Sequence, residues 1–444
     1  AIGYNSLQAN TTGAQNTGLG INSLYQNSTG NYNTAVGKRA LYTNTSGSQN
    51  TALGTQALDA NTTGNYNIGI GQDALGANTT ASSNVTVGVS SLTFNTTGAN
   101  NTGLGHAALM SNTTASNNTA LGYSALSQNT TGTNNVALGA YALDANTTAN
   151  NNIAIGLSAA TNNTTGTQNI AIGTEALETN TTGVYNIAIG TQALEDNTAS
   201  SCVAIGNSAL KENTTGQINT AIGTSALDKN TTGNFNVAIG GSCLTETVAA
   251  HNCVGVGHEA LANNTASLNT AVGKSALSSN TSGIENTAVG SSALVLNTTA
   301  HYNAALGVYA LLNNTGASNT ALGTRTLKDN TTGTQNVAVG AFALDANTTG
   351  QYNTALGFEA LGSNTTASNN VALGRSALFT NTTGANNIAV GLQALYTNST
   401  GQDNVAVGTL ALDANSTGNY NSALGSGSLG ANTTGTQNTA VGTF

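Results

Sequence analysis

The chain has 444 residues, of which 6% are charged, with a net charge of −9, 54 Gly, no Pro and no Trp. Ordinary soluble domains carry roughly a quarter charged residues, and disordered tails are rich in Pro, Lys and Glu, so neither class fits. No basic cluster points to nucleic acid, no apolar run is long enough for a membrane helix, and Cys202, Cys243 and Cys253 form neither an even disulfide framework nor a metal-ligand spacing.

The glycine of an A-[ILV]-G triplet recurs from Gly3 to Gly442 at 17-residue intervals, with three intervals of 16: Gly190 to Gly206, Gly257 to Gly273 and Gly307 to Gly323. Each short copy loses a residue from its N-T-T-G stretch, which marks that stretch as a corner rather than a paired strand. A fixed short period means stacked copies of one structural unit. The composition does not shift along 1–444, so the chain reads as a single continuous repeat array, a segment of a longer fibre.

Asn50 to Tyr66 shows the unit clearly, and Asn336 to Tyr352 nearly repeats it. Columns are numbered from the residue after the recurrent Asn, so that columns 1 to 17 read [TIV]-A-[ILV]-G-x-x-A-L-x-x-N-T-T-G-x-x-N. Alternation along a strand puts columns 1 and 3 on one face and the alanine of column 2 on the other. The first strand runs from the recurrent Asn through column 3, and a second is expected across columns 7 to 10. The frequent Gly, Thr and Asn, with no apolar stripe at 3.6 spacing, exclude helix.

Taking the aliphatic columns as interior gives a core of Leu53, Leu58, Ile172, Leu177, Ile239, Leu244, Val339 and Leu344. The small residues opposite, Ala52, Gly54, Ala57, Ala171 and Gly173, then form a bare face open to another chain. Column 17 (Asn33, Asn50, Asn67, Asn169, Asn186, Asn336, Asn353) is expected to form an amide ladder, with column 11 a second. All 25 charged residues fall in columns 5, 6, 9, 10 or 16, so those columns face solvent. Column 16, with Gln15, Tyr32, Gln49 and Tyr66, reads as a partly exposed stacking ladder.

The expected fold is all-β: a parallel β-solenoid (β-roll) of about 26 coils, with equal columns stacked about 4.8 Å apart in an elongated rod of roughly 125 Å. Two or three large aliphatics per coil make a thin core against the ordering cost of seventeen backbones, which favours a multi-chain object.

The strings Asn169-Ile170-Ala171-Ile172-Gly173 and Asn236-Val237-Ala238-Ile239-Gly240, in a repeat that continues with x-x-A-L or a close variant and usually a Gly-closed turn, resemble the head repeats of YadA-like trimeric autotransporter adhesins. They also resemble repeat regions of phage tail fibres. The likeness covers the whole chain through short, low-complexity motifs, and the family's usual repeat is shorter, the surplus here sitting at N-T-T-G. The resemblance implies left-handed winding, a homo-oligomer such as a trimer or a head-to-tail filament, an extracellular or cell-surface location, and attachment to a host surface or matrix ligand.

No catalytic motif or cofactor fingerprint is present, and no catalytic, cofactor or metal residue is assigned. His106, His251, His258 and His301 sit at variable columns. His251, Cys253 and Glu246 lie in the most irregular copy, which reads as a decayed repeat rather than a metal site. The N-T-T corner makes an N-glycosylation sequon at Asn10, Asn61, Asn146 and Asn347, among others. The paired column of Thr62 and Thr63 raises an alternative function, an ice- or surface-binding solenoid acting as a monomer.

Overall fold

In a computed structural model, which describes residues 1–443, every strand is three residues long and occupies columns 1 to 3 of one repeat. The coils fall into two compact units, Ala1–Ala221 and Ile222–Phe444. In the first unit, strands from β1 (Thr17–Leu19) to β12 (Val203–Ile205) pair in parallel, each with the next in chain order. The second unit repeats the arrangement from β14 (Val237–Ile239) to β26 (Thr439–Val441). The division falls within β13 (Thr220–Ile222). Register is column on column: Thr354, Ala355 and Leu356 face Val371, Ala372 and Leu373. The chain is therefore a parallel β-solenoid of about 25 turns, and the described residues contain no helix.

The second strand does not form. Columns 5 to 10 are turns, because columns 6 and 8 take the left-handed backbone in each coil (Phe342 at φ 60° and Leu344 at φ 51°), and that geometry breaks the pleat. The coil still spends its backbone groups on its neighbours. Leu344 N–H donates to Ala360 at 3.0 Å, Ala346 to Gly362 at 3.1 Å and Thr348 to Thr365 at 2.8 Å, while Phe342 donates backwards to Thr324 at 3.1 Å. Those bonds hold a bulky Leu at a backbone angle that costs on the order of 1 kcal/mol or more. Column 4 goes further: Gly54 has φ 139°, and a Cβ there would collide with the Gly71 carbonyl oxygen. Only glycine fits.

The core is narrower than the sequence suggests, and its aliphatic assignment is half wrong. Leu58, Leu177, Leu244 and Leu344 of column 8 are fully buried, as are Ala52, Ala57 and Ala171. Leu53 is 46% exposed and Ile239 39%, with Ile172 and Val339 half-buried. Column 3 therefore points outward and column 2 inward. The reason is space. A Cβ on Gly69 would lie 3.3 Å from the Leu58 side chain, and one on Gly255 would collide with Cys243 Sγ. Columns 7 and 8 of the preceding coil already fill the volume above column 2, which leaves room for Ala or Gly in every copy but one, where Thr86 is buried with its hydroxyl donating to Ile68 O. The bare face expected at Ala52, Gly54, Ala57, Ala171 and Gly173 is thus the interior wall, with Gly54 and Gly173 half-buried in the turn.

Both Asn ladders form. In column 11, Asn364 Nδ2 donates to Asn347 Oδ1 at 2.8 Å, and Asn347 Nδ2 donates to Asn330 Oδ1 at 2.7 Å and to Gly350 O at 3.1 Å. In column 17, Asn336 Oδ1 accepts the Asn353 N–H at 3.0 Å while Asn336 Nδ2 donates to Gly350 O at 2.9 Å. Asn33, Asn50, Asn67, Asn169 and Asn186 occupy the same buried column. Buried amides cost free energy unless bonded, and here the stacking itself supplies the partners.

The corner deletions leave a mark. In the 16-residue coils Asn197 and Asn314 donate to their own corner carbonyls, Ala199 O at 2.9 Å and Gly316 O at 2.7 Å. The preceding Asn180 Oδ1 and Asn297 Oδ1 are left buried without a hydrogen-bond partner. The ladder resumes one coil later, where Asn330 Nδ2 donates to Asn314 Oδ1 at 2.6 Å.

Candidate interaction face

The strands put columns 1 and 3 on one outward face in both units. Column 3 is always Leu, Ile or Val, and column 1 is mostly Thr, Ile or Val. Among the described residues, no outward strand position carries a charge. Beside β18 (Ala304–Leu306), where column 1 shortens to Ala304, the face dips into an apolar furrow of about 260 Å³ between Val289, Leu306 and Leu322. Another furrow of about 260 Å³ lies over Val405, Val407 and Leu424. Charges begin immediately beyond the column-4 glycine, in columns 5 and 6, as at Lys38 and Arg39.

The remaining surface mixes exposed apolar side chains, such as Ile21, Phe94 and Leu157, with locally paired charges. Arg39 of column 6 reaches Asp59 of column 9 in the next coil at 2.8 Å, with its guanidinium 4.4 Å from the Tyr42 ring centroid. The hydrogen bond to Asp59 raises the Arg39 pKa further. Tyr42 stacks on Tyr25 at 5.1 Å. Arg325 and Asp345 repeat the same 6-to-9 contact at 3.0 Å, although burial pushes the Asp345 carboxyl upward despite the arginine. Exposed pairs of this kind stabilise by about 0–1 kcal/mol. Where three acids meet instead, Glu175, Glu178 and Glu195 bring oxygens within 4.8 Å of one another. Burial raises the Glu178 pKa, with Glu175 and Glu195 adding to it. Lys211 lies 3.3 Å from Glu195 and partly neutralises the group. Sequence reasoning missed this cluster. Its signal is the 6-to-9 spacing across coils that also makes the arginine pairs.

The other residues singled out from the sequence fall into structural jobs. His251 Nδ1 accepts the Asn234 N–H at 3.0 Å, Glu246 pairs with Lys229 at 2.7 Å, and Cys253 Sγ is buried 3.2 Å from Ala266 O. His251, Cys253 and Glu246 do not converge. Cys202 and Cys253 replace Asn in column 17, and Cys202 Sγ still reaches the column-14 carbonyl of Gly216 at 3.3 Å. Cys243 replaces a column-7 alanine, and burial pushes its thiol up to about 12. All three cysteines are free.

The sequons are corrected by their burial. Asn61, Asn146 and Asn347 are wholly buried with Nδ2 engaged in the ladder, so the folded coil leaves no room for a glycan. Asn10, in the first coil, is exposed and donates to Gly13 O at 2.9 Å. Thr62 Oγ1 is spent on the Thr79 carbonyl at 2.9 Å, while Thr63 points to solvent. The exposed Thr row most regular in strand geometry is therefore column 1 rather than the corner pair. In column 16, Tyr32 and Tyr66 are exposed. No protein-family model matches this chain, and no curated protein matches it.

Proposed function

We propose that the chain is a structural and adhesive part of an extracellular or cell-surface fibre, with the coil stack itself as the working element and no catalysis. The observation that carries this reading is that, outside the short corners, coils satisfy their backbone groups and Asn amides largely on neighbouring coils. Such a stack propagates by repetition, as solenoids do through nearest-neighbour interfaces. The likeness of Asn169–Gly173 and Asn236–Gly240 to YadA-like adhesin heads, and to phage tail-fibre shafts, supports attachment to a host surface or matrix ligand by a self-associating rod. Electron microscopy and sedimentation of the full chain test this: extended oligomers or filaments are expected, and a compact monomer would overturn it.

A second reading has one observation in its favour. Column 1 presents outward Thr residues, such as Thr17 and Thr34, in register on adjacent strands, a flat hydroxyl-bearing face suited to ice or a crystalline surface. A monomer that produces thermal hysteresis would favour this reading, and no hysteresis would remove it.

A further inference from the structure

We propose that column 16 is a binding strip for a neutral, extended polysaccharide, a β-1,4-linked glycan lying along the stacked coils. This rests on the fibre reading and gives its attachment a ligand class.

The rings of column 16 have no job inside the chain. The 13 Tyr and 6 Phe would fall about one to a column if spread over the 17 columns, yet seven of them stand in column 16, from Tyr32 to Tyr420. The backbone there is left-handed, at φ 59° for Tyr32 and 58° for Tyr352, a conformation that suits Asn and disfavours a bulky side chain. The chain also uses Asn in this column, as at Asn100 and Asn369, with the same backbone. Burial does not offset the cost of a ring, since Tyr66 is 61% exposed and Tyr420 60%. Nor do these rings stack on one another, because the nearest two, Tyr32 and Tyr66, stand two coils apart.

The residues that accompany the rings select the ligand. Column 16 is aromatic, Asn or Gln in 19 of its 26 copies, and its only charges are Glu285 and Asp403. Without Lys or Arg the strip offers no counter-charge to phosphates or sulfates, so the ligand is uncharged. Exposed Gln49 stands between Tyr32 and Tyr66, and exposed Gln335 in the coil before Tyr352. An open ring face meets the apolar C–H face of a pyranose. Carboxamides both donate and accept, which serves the hydroxyls around the sugar's rim.

Spacing narrows the class further. Backbone bonds hold the column in register, with Tyr66 N–H donating to Ser48 O at 3.1 Å and Tyr352 N–H to Thr334 O at 3.2 Å. The coil rise of about 4.8 Å nearly matches the advance of one sugar in an extended β-1,4-linked chain. Successive coils therefore meet successive sugars. A proline-rich segment also favours aromatic rows, but it advances about 3.1 Å per residue and falls out of phase with the coils.

Affinity electrophoresis of the full chain, through gels holding hydroxyethylcellulose, dextran or no polymer, tests the proposal. Hydroxyethylcellulose is the neutral β-1,4-linked probe and dextran the α-linked one. The strip variant combines Tyr32→Asn, Tyr66→Asn, Tyr302→Asn, Tyr352→Asn and Tyr420→Asn, each bringing in a residue the column already carries elsewhere. The control variant, Phe94→Asn with Tyr123→Asn and Tyr141→Asn, removes exposed rings from other columns. Circular dichroism checks that all three proteins are folded alike. Wild type and the control should be retarded by hydroxyethylcellulose and not by dextran. The strip variant should bind at least about tenfold more weakly, since each lost ring contact is worth a factor of a few. A wild type that passes hydroxyethylcellulose freely, equal retardation by dextran, or a folded strip variant retarded as wild type is overturns the proposal. On wild type alone, hydroxyethylcellulose should slow nitration by tetranitromethane at Tyr66 and Tyr352 but not at Tyr123, as mapped by mass spectrometry. Equal protection of the three overturns it, as does tighter binding of a proline-rich peptide than of the glycan. Extended rods in electron micrographs without glycan binding would remove the strip and spare the fibre reading.

Discussion

The coil at 337–353 and the coil at 304–319 differ by one corner residue and lie in the same unit. Both keep the parallel strand, the inward alanine of column 2 and the buried leucine of column 8. They differ in two polar links: Asn347 donates to Asn330 and Asn336 to Gly350, whereas Asn314 does not reach Asn297 and Asn303 Nδ2 is left buried without a hydrogen-bond partner. Deletion at the corner therefore spares the apolar and backbone framework and is felt by two Asn side chains, Asn297 and Asn303. The coil is modular within itself as well as along the stack.

The largest break in this comparison should come from a column both coils share. Gly340→Ala puts a Cβ 2.5 Å from the Gly357 oxygen, and Gly307→Ala drives one still closer to the Gly323 oxygen. Each should destabilise its region by at least about 3 kcal/mol. Because long repeat arrays need not unfold as one unit, hydrogen exchange of neighbouring amides is the proper readout. Unchanged protection beside either alanine would refute the obligatory column. Leu344→Ala and Leu311→Ala come next, each costing about 2–5 kcal/mol, with similar values if the short coil's core is truly intact.

The Asn column separates the two kinds of coil. Each alanine removes two Nδ2 bonds, but Asn347→Ala also takes an acceptor from Asn364, which keeps only Ala367 O, while the Asn297 oxygen was already unpaired. The first should cost about 1 kcal/mol more than the second. Inserting Thr between Thr315 and Gly316 should restore the missing link and gain about 1 kcal/mol. Loss of stability on insertion would mean that the short corner is itself preferred.

The remaining effect is silent at neutral pH and appears only in alkali. Cys243 is held neutral in the fold by burial, with its pKa pushed to about 12 from 9.0. The unfolded chain loses this proton first, so stability falls as pH rises from about 9 toward 12 and is unaffected below that window. Melting temperatures of wild type and Cys243→Ala over this range should diverge on the alkaline side only, and parallel curves would refute the assignment.

Much of this was legible in the residues. The glycine of column 4 gave the period, the deletions located the corner, and the asparagines of columns 17 and 11 announced the ladders. The facing of the strand was not legible. The rule that aliphatics lie inside put Leu53 in the core, when the deciding fact was that Leu58 already occupies it. Two signals pointed the right way: column 8 is Leu in every copy but Ala160, and column 2 tolerates nothing beyond Ala or Gly except Thr86. The missed turn at columns 5 to 8 leaves no signature, since Leu344 adopts a backbone that its residue type disfavours. The outward face was missed through the same error, because a charge-free column looks identical in the sequence whether it is buried or exposed.

The column-11 ladder has a sense as well as a pattern. Asn364 donates to Asn347, which donates to Asn330, so successive side-chain amides point the same way. Their dipoles add head to tail, as peptide dipoles do in a helix, and each bond polarises the next. A run of coils thus acquires a positive end and a negative end, although its strands contribute little of either sign. Where Asn314 turns to its own corner, the row is interrupted and the polarity starts afresh. The short coils act as insulating joints, limiting how far electrical order can accumulate along the stack.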